Sequence, residues 1–112
     1  MPPADLAPYS PDVGMIRLMA DYECYPLWDQ HGNVDPFDLT ITLELANALL
    51  AWAEEYTETL DRSNPPASGF VDIRAAERWL RKGARLAAQL RDQGYPVEYF
   101  HAGERPSALV AC

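Results

Sequence analysis

Three consecutive stretches decide the fold: ITLELANALLAWAEEYTETLD at 41–61, RSNPPASGFV at 62–71 and IRAAERWLRKGARLAAQLRDQ at 73–93. In the first, Leu45, Leu49, Trp52, Tyr56 and Leu60 recur at steps of 4, 3, 4 and 4, which places them on one stripe of a helix. Asn47, Glu54, Glu58 and Asp61 fall on the opposite side. Thr40 or Thr42 is the expected cap, and Glu44 lies in the first turn, where the helix dipole favours an acid. Pro65–Pro66 and Gly69 forbid a continuous helix through the second stretch. In the third, Asp72 is the expected cap, and Ile73, Ala76, Leu80, Gly83, Ala87 and Leu90 form the expected buried face. Gly83 costs an isolated helix about 1 kcal/mol, a cost that close approach of the other helix would offset. Gly94 is a natural stop.

Outward from this helical hairpin, MIRLMADY at 15–22 alternates. Ile16, Leu18, Ala20 and Tyr22 face one way and Arg17, Met19 and Asp21 the other, as in a strand with one buried face. At the far end, YPVEYFH at 95–101 reads as a second strand, with Pro96 marking an edge. The segment 23–38, ECYPLWDQHGNVDPFD, reads as a long irregular connection with turn signals at Gly32–Asn33 and Asp35–Pro36. Residues 1–14 and 102–112 carry no periodic pattern and read as tails, leaving 15–101 as a single domain. The expected fold class is α+β in the order strand, helix, helix, strand, with an antiparallel helical hairpin packed on a small antiparallel sheet. A two-stranded ribbon alone is marginal. Either 23–38 adds a strand, or two copies join sheet edges, or a partner supplies one.

The chain has 112 residues, 48% of them apolar, which suffices for a core without a metal or a disulfide framework. The N-terminal MPPADLAPYSPDVG has neither a basic start nor an apolar stretch, so no signal peptide is read there. Two cysteines outside any C-x-x-C pair and no membrane-length apolar run make the cytoplasm the expected location. Net charge is −8 and unevenly placed: residues 1–70 carry −10 and residues 71–112 carry +2. A field of this sign repels nucleic acid and anionic lipid and favours a basic protein partner.

The candidate chemistry is that of binding. Asp21, Glu23, Asp29 and Asp35 lie among Tyr22, Tyr25 and Trp28. Aromatic rings bury area at low entropy cost, and carboxylates steer a cationic partner. These seven residues are the expected partner-binding surface. His31, Asp29, Asp35, Cys24 and His101 are metal-ligand types, but their spacing matches no metal motif. No metal and no cofactor is expected. Gly-rich phosphate loops are absent. Arg74, Arg78, Arg81 and Arg85, with Lys82 beside them, form one stripe without aromatic interleaving and read as a solvated face paired locally with Glu77 or with acids of the first helix. Nucleophilic catalysis would need Cys24 to meet His101, and Cys24 sits in no nucleophile turn.

The start MIRLMADYECYPLW, which contains A-D-Y-x-C-x-P-L-W, the ladder Leu45–Leu49–Trp52–Tyr56–Leu60 and the late Gly83, Leu86, Leu90 and Val97–Glu98–Tyr99 together resemble a group of small bacterial proteins over about residues 15–101. In size, charge and layout the chain is also similar to the immunity partners of secreted bacterial toxins. That resemblance implies an acidic, compact, non-enzymatic inhibitor of a basic effector. The alternatives are a small scaffold protein dimerising through strand edges and a Cys24–His101 enzyme.

Overall fold

The computed structural model describes residues 15–64 and 68–100. The order is β1 (Ile16–Leu18), β2 (Leu27–Asp29), β3 (Gly32–Val34), a single 3-10 turn (Pro36–Asp38), α1 (Leu43–Thr57), α2 (Ile73–Asp92) and β4 (Val97–Tyr99). The α+β architecture is the expected one: the first and last strands are paired and a helical hairpin lies between them in the chain. The expected tails at 1–14 and 102–112 lie outside the described residues, as does His101.

The segment 23–38 is not an irregular connection. It folds back as β2 and β3, giving a four-stranded sheet of order β3-β2-β1-β4. β1 pairs antiparallel with β2 (Leu18 opposite Leu27), and β2 pairs antiparallel with β3 (Leu27 opposite Val34). The hairpin turns at Gln30–His31, where Asp29 Oδ1 accepts the His31 amide at 2.7 Å. Gly32 follows at φ 121°, a backbone conformation that disfavours a side chain. Four strands remove the instability of a lone ribbon.

The sheet is mixed rather than wholly antiparallel, because β4 runs parallel to β1 (Ile16 opposite Val97, Leu18 opposite Tyr99). The reason is strand length. Three residues at about 3.3 Å each span only about 10 Å, so the link 35–42 is long enough to carry the chain from the Val34 end of the sheet to the other end before α1 begins. Hydrogen bonds fix that arrival point. The Thr40 amide donates to Tyr95 Oη at 2.7 Å, the Thr42 amide donates to Gln93 Oε1 at 2.8 Å, and the Ile16 amide donates to the Pro96 carbonyl at 3.0 Å. α1 therefore starts where β4 starts, and an antiparallel hairpin returns the chain to that same end.

Both expected caps are present. Thr42 Oγ1 accepts from the Leu45 amide at 3.2 Å, and Asp72 Oδ1 accepts from the Ala75 amide at 2.8 Å. α1 buries Leu45, Leu49 and Trp52, as its spacing requires. α2 buries Trp79, Gly83, Leu86, Ala87 and Leu90, whereas Ile73 is 74% exposed. The expected stripe was thus turned by one residue in its first half, where Trp79 rather than Leu80 points inward.

Trp79 makes the central contact of the molecule. Its indole stacks on Trp52 with ring centroids 4.3 Å apart and planes 2° from parallel. Each indole N–H donates to the other residue's backbone carbonyl at 2.9 Å. Two large rings are thereby buried with their polar atoms satisfied. Gly83 lies one turn beyond Trp79. A Cβ there would sit 2.6 Å from Trp52 Cζ2 and would collide with the Tyr99 hydroxyl, so the glycine is required by close approach and not by backbone angle. Tyr99 Oη donates to the Leu80 carbonyl at 2.8 Å, which ties β4 to α2.

Gly83→Ala should therefore destabilise the fold: about 1–3 kcal/mol of overpacking outweighs roughly 1 kcal/mol of helix propensity gained. Urea unfolding measures the difference, and equal or greater stability in the variant would contradict the packing described. Burial pushes the Tyr99 phenol from 10.0 up to about 12. The folded state then holds this proton more tightly than the unfolded chain does, so stability is unaffected below pH 10 and falls as pH rises through about 12. An ultraviolet titration should show one tyrosine ionising last.

Candidate protein-binding surface

β1 ends because the chain reverses. The Met19 amide still donates to the Pro26 carbonyl at 2.9 Å, and the Cys24 amide closes a turn onto the Asp21 carbonyl at 3.3 Å. Glu23 sits in this turn at φ 63°, the left-handed region, which costs a non-glycine residue strain. Two contacts hold it there: the Glu23 amide donates to Thr57 Oγ1 at 2.9 Å, and its carboxylate pairs with Arg62 at 2.6 Å. Asp61 organises the turn that presents Arg62. The Ser63 hydroxyl, then the Asn64 and Ser63 amides, hold the Asp61 carboxyl below its usual range.

The seven expected contact residues divide. Asp21 and Tyr22 are half-buried, and Glu23 and Tyr25 are exposed in the same turn. Tyr22 stacks on Tyr56 of α1 with centroids 4.6 Å apart, and Tyr56 in turn stacks on Trp79 at 5.2 Å, which anchors the turn to the core. Asn33 grips the next residues: its side chain accepts the Tyr25 amide at 2.9 Å and donates to the Tyr25 and Leu27 carbonyls. Asp35 follows Val34 at the same end of the sheet and caps the 3-10 turn, accepting the Phe37 amide at 3.0 Å. Asp29 lies at the opposite end of the short strands, in the β2–β3 turn.

Trp28 does not belong to any exposed surface. It is 1% accessible and donates its indole N–H to the Met19 carbonyl at 2.9 Å. It pairs with Arg17, on the sheet face away from the Leu18–Leu27 pair, and Met19 is buried as well. The alternating pattern of 15–22 implied a solvated second face, and these two residues overturn that.

The turn faces one side of α1. Between them lies an open groove of about 520 Å³ lined by Glu23, Tyr25 and Asn33 on one wall and by Leu50, Ala53, Glu54 and Thr57 on the other. The α1 wall escaped the sequence reading, which treated Glu54 simply as part of a solvated face. A signal was present: α1 contains no Lys or Arg. A second groove of similar size lies between the helices, lined by Glu55, Glu58, Phe70, Trp79 and the cationic side of α2. Lys82 bridges it to Glu55 at 2.6 Å.

Cys24 has no free thiol; its sulfur is disulfide-bonded. The Cys24–His101 enzyme reading thereby loses its nucleophile, and the argument from cysteine count to a reducing compartment carries no weight. Among the described residues no group of three or more His, Cys, Asp or Glu is placed to hold a metal ion. No helix among them is long and apolar enough to cross a membrane.

The acidic, aromatic-bearing turn is thus braced against α1, a helix with acids and no Lys or Arg. The sequence model of the Serratia CdiI immunity protein-like family matches residues 14–102. The chain belongs to this family. The match spans both helices and all four strands. It makes the chain an immunity-type protein, in line with the resemblance read from the sequence. No curated protein matches the chain.

All three tryptophans are at most 2% accessible. Their fluorescence should accordingly be blue-shifted and resist acrylamide quenching, and a readily quenched fraction would place Trp28 back at the surface. Trp28→Ala should cost about 3–5 kcal/mol of stability, as expected of a core residue and not of a contact anchor.

Proposed function

We propose that this immunity-type protein neutralises a basic effector protein by docking it against the groove between the 21–25 turn and α1. It acts by binding and not by catalysis. The observation that carries the reading is the convergence, in one open groove, of Glu23 and Glu54 with the 42%-exposed Tyr25 over an apolar floor of Leu50 and Ala53. A cationic side chain of the effector would enter between the carboxylates while Tyr25 covers its aliphatic stem. The Arg62 paired with Glu23 is 66% exposed, so it can swing out and release the carboxylate at little cost. Asp21, Tyr22 and Asp35 extend the contact at the same end. Asp29, in the opposite turn, and the buried Trp28 stand outside it. The net charge of −8 accelerates encounter with a basic partner.

The division of labour between charge and ring is measurable. Against a basic effector that it neutralises, Glu23→Gln with Glu54→Gln should slow association about tenfold at low salt and leave dissociation nearly unchanged. Tyr25→Ala should weaken binding about tenfold through faster dissociation. Wild-type affinity should fall steadily between about 50 and about 500 mM salt. Affinity indifferent to salt and to these substitutions would exclude the acidic groove as the contact.

A further inference from the structure

The acidic groove leaves the other half of the helical hairpin unused. On α2, Arg74, Arg78, Arg81 and Arg85 share one exposed face. Among the described residues their side chains form no ion pair or hydrogen bond, and the local pairing expected from the sequence is realised only by Lys82 with Glu55. This is costly in a helix. Arg74–Arg78, Arg78–Lys82 and Arg81–Arg85 are like-charge pairs at i, i+4, each destabilising, in a chain with 17 acids available to interleave. The same end of α2 exposes two apolar residues, Val71 at 90% and Ile73 at 74%. They follow Phe70, which with Trp79, Arg78, Arg81 and Arg85 lines the inter-helix groove of about 520 Å³. Its α1 side is lined by Glu58 and by Glu55, which is paired with Lys82, so that among the described residues three unpaired arginines face one unpaired carboxylate. Unpaired guanidinium groups along an aromatic-lined groove, with an exposed aliphatic pair at the start of the same helix, have the composition of an interface core and rim.

We infer that this face is a second docking surface, fitted to an acidic protein segment that carries at least one large apolar side chain. The apolar residue would lie against Val71, Ile73 and the Phe70 wall of the groove. The segment's carboxylates would accept bidentate hydrogen bonds from Arg78, Arg81 and Arg85. A protein segment is favoured over nucleic acid for two reasons. Six of the nine Lys and Arg residues lie on α2 while residues 1–70 carry −10, which repels an extended polyanion. The exposed aliphatic pair also has no counterpart in a phosphate backbone. The surface is opposite in sign to the acidic groove and does not depend on the proposal made for it.

The test is selection of a random peptide library displayed on phage against the immobilised full chain, repeated on Arg81→Glu/Arg85→Glu and on Val71→Ser/Ile73→Ser. All four positions are solvent-exposed, and circular dichroism and melting serve to check that each variant folds as the wild type does. The expected result is enrichment of peptides combining Asp or Glu with Leu, Ile, Phe or Trp. A synthetic copy of the consensus should bind the wild type at least tenfold more tightly than either variant. A labelled oligothymidylate should bind weakly and fail to compete. Three results would overturn the inference: a consensus without acids, a consensus peptide that binds the variants equally well, or an oligothymidylate that displaces it. Concentration-dependent dimerisation abolished by Arg81→Glu/Arg85→Glu would also overturn it, by making a second copy the occupant.

Discussion

The structure depends on two tryptophans that satisfy one another. Trp52 and Trp79 stack face to face, and each donates its indole N–H to the other's backbone carbonyl. A buried indole N–H without an acceptor costs on the order of 1–3 kcal/mol. The reciprocal geometry removes that cost twice and sets the register of α1 on α2. From this joint an aromatic path runs in both directions. One branch goes through Tyr56 to Tyr22 and steadies the 21–25 turn. The other reaches Tyr99 of β4 and depends on the missing side chain at Gly83. The same contact that builds the core therefore positions the acidic turn.

Once the hairpin is locked, its charge becomes geometry. α1 contains acids and no Lys or Arg, whereas α2 carries an arginine stripe. The mixed sheet holds them side by side: the 35–42 link delivers α1 to the end where β4 begins, which makes β4 parallel to β1. The result is a small molecule with an acidic groove between the β1–β2 turn and α1, and a cationic rim on α2. For the inhibitory role proposed, that asymmetry would suit fast encounter through charge and a lasting hold through packed rings.

The helices and both caps were legible in the sequence, because a 3.6-residue stripe over fifteen or twenty residues repeats often enough to be unambiguous. That the first and last strands pair was legible too, but not that they run parallel. β2 and β3 were legible only as one of three ways to complete the sheet, a strand from 23–38, and not as two strands with bounds. Three-residue strands contain one alternation at most, and Leu27–Trp28–Asp29 reads equally well as loop. Trp79 was missed because Leu80 and Ala76 offered a competing stripe one residue away. Trp28 was misjudged for a related reason: period-2 reasoning leaves the second sheet face to solvent, and here that face also buries side chains. At the candidate site, the turn residues Asp21 to Tyr25 stood out by composition. The α1 wall of Leu50, Ala53, Glu54 and Thr57 could be found only when the fold brought it opposite the turn.

On the function proposed, the effector sits against the acidic turn and the facing side of α1. Amide hydrogen exchange of the chain, free and saturated with its effector, tests this placement, and added protection is expected in peptides covering 21–25 and 50–58. Protection confined to β3, the 36–38 turn or other segments, with those two unchanged, would place the effector elsewhere and contradict it.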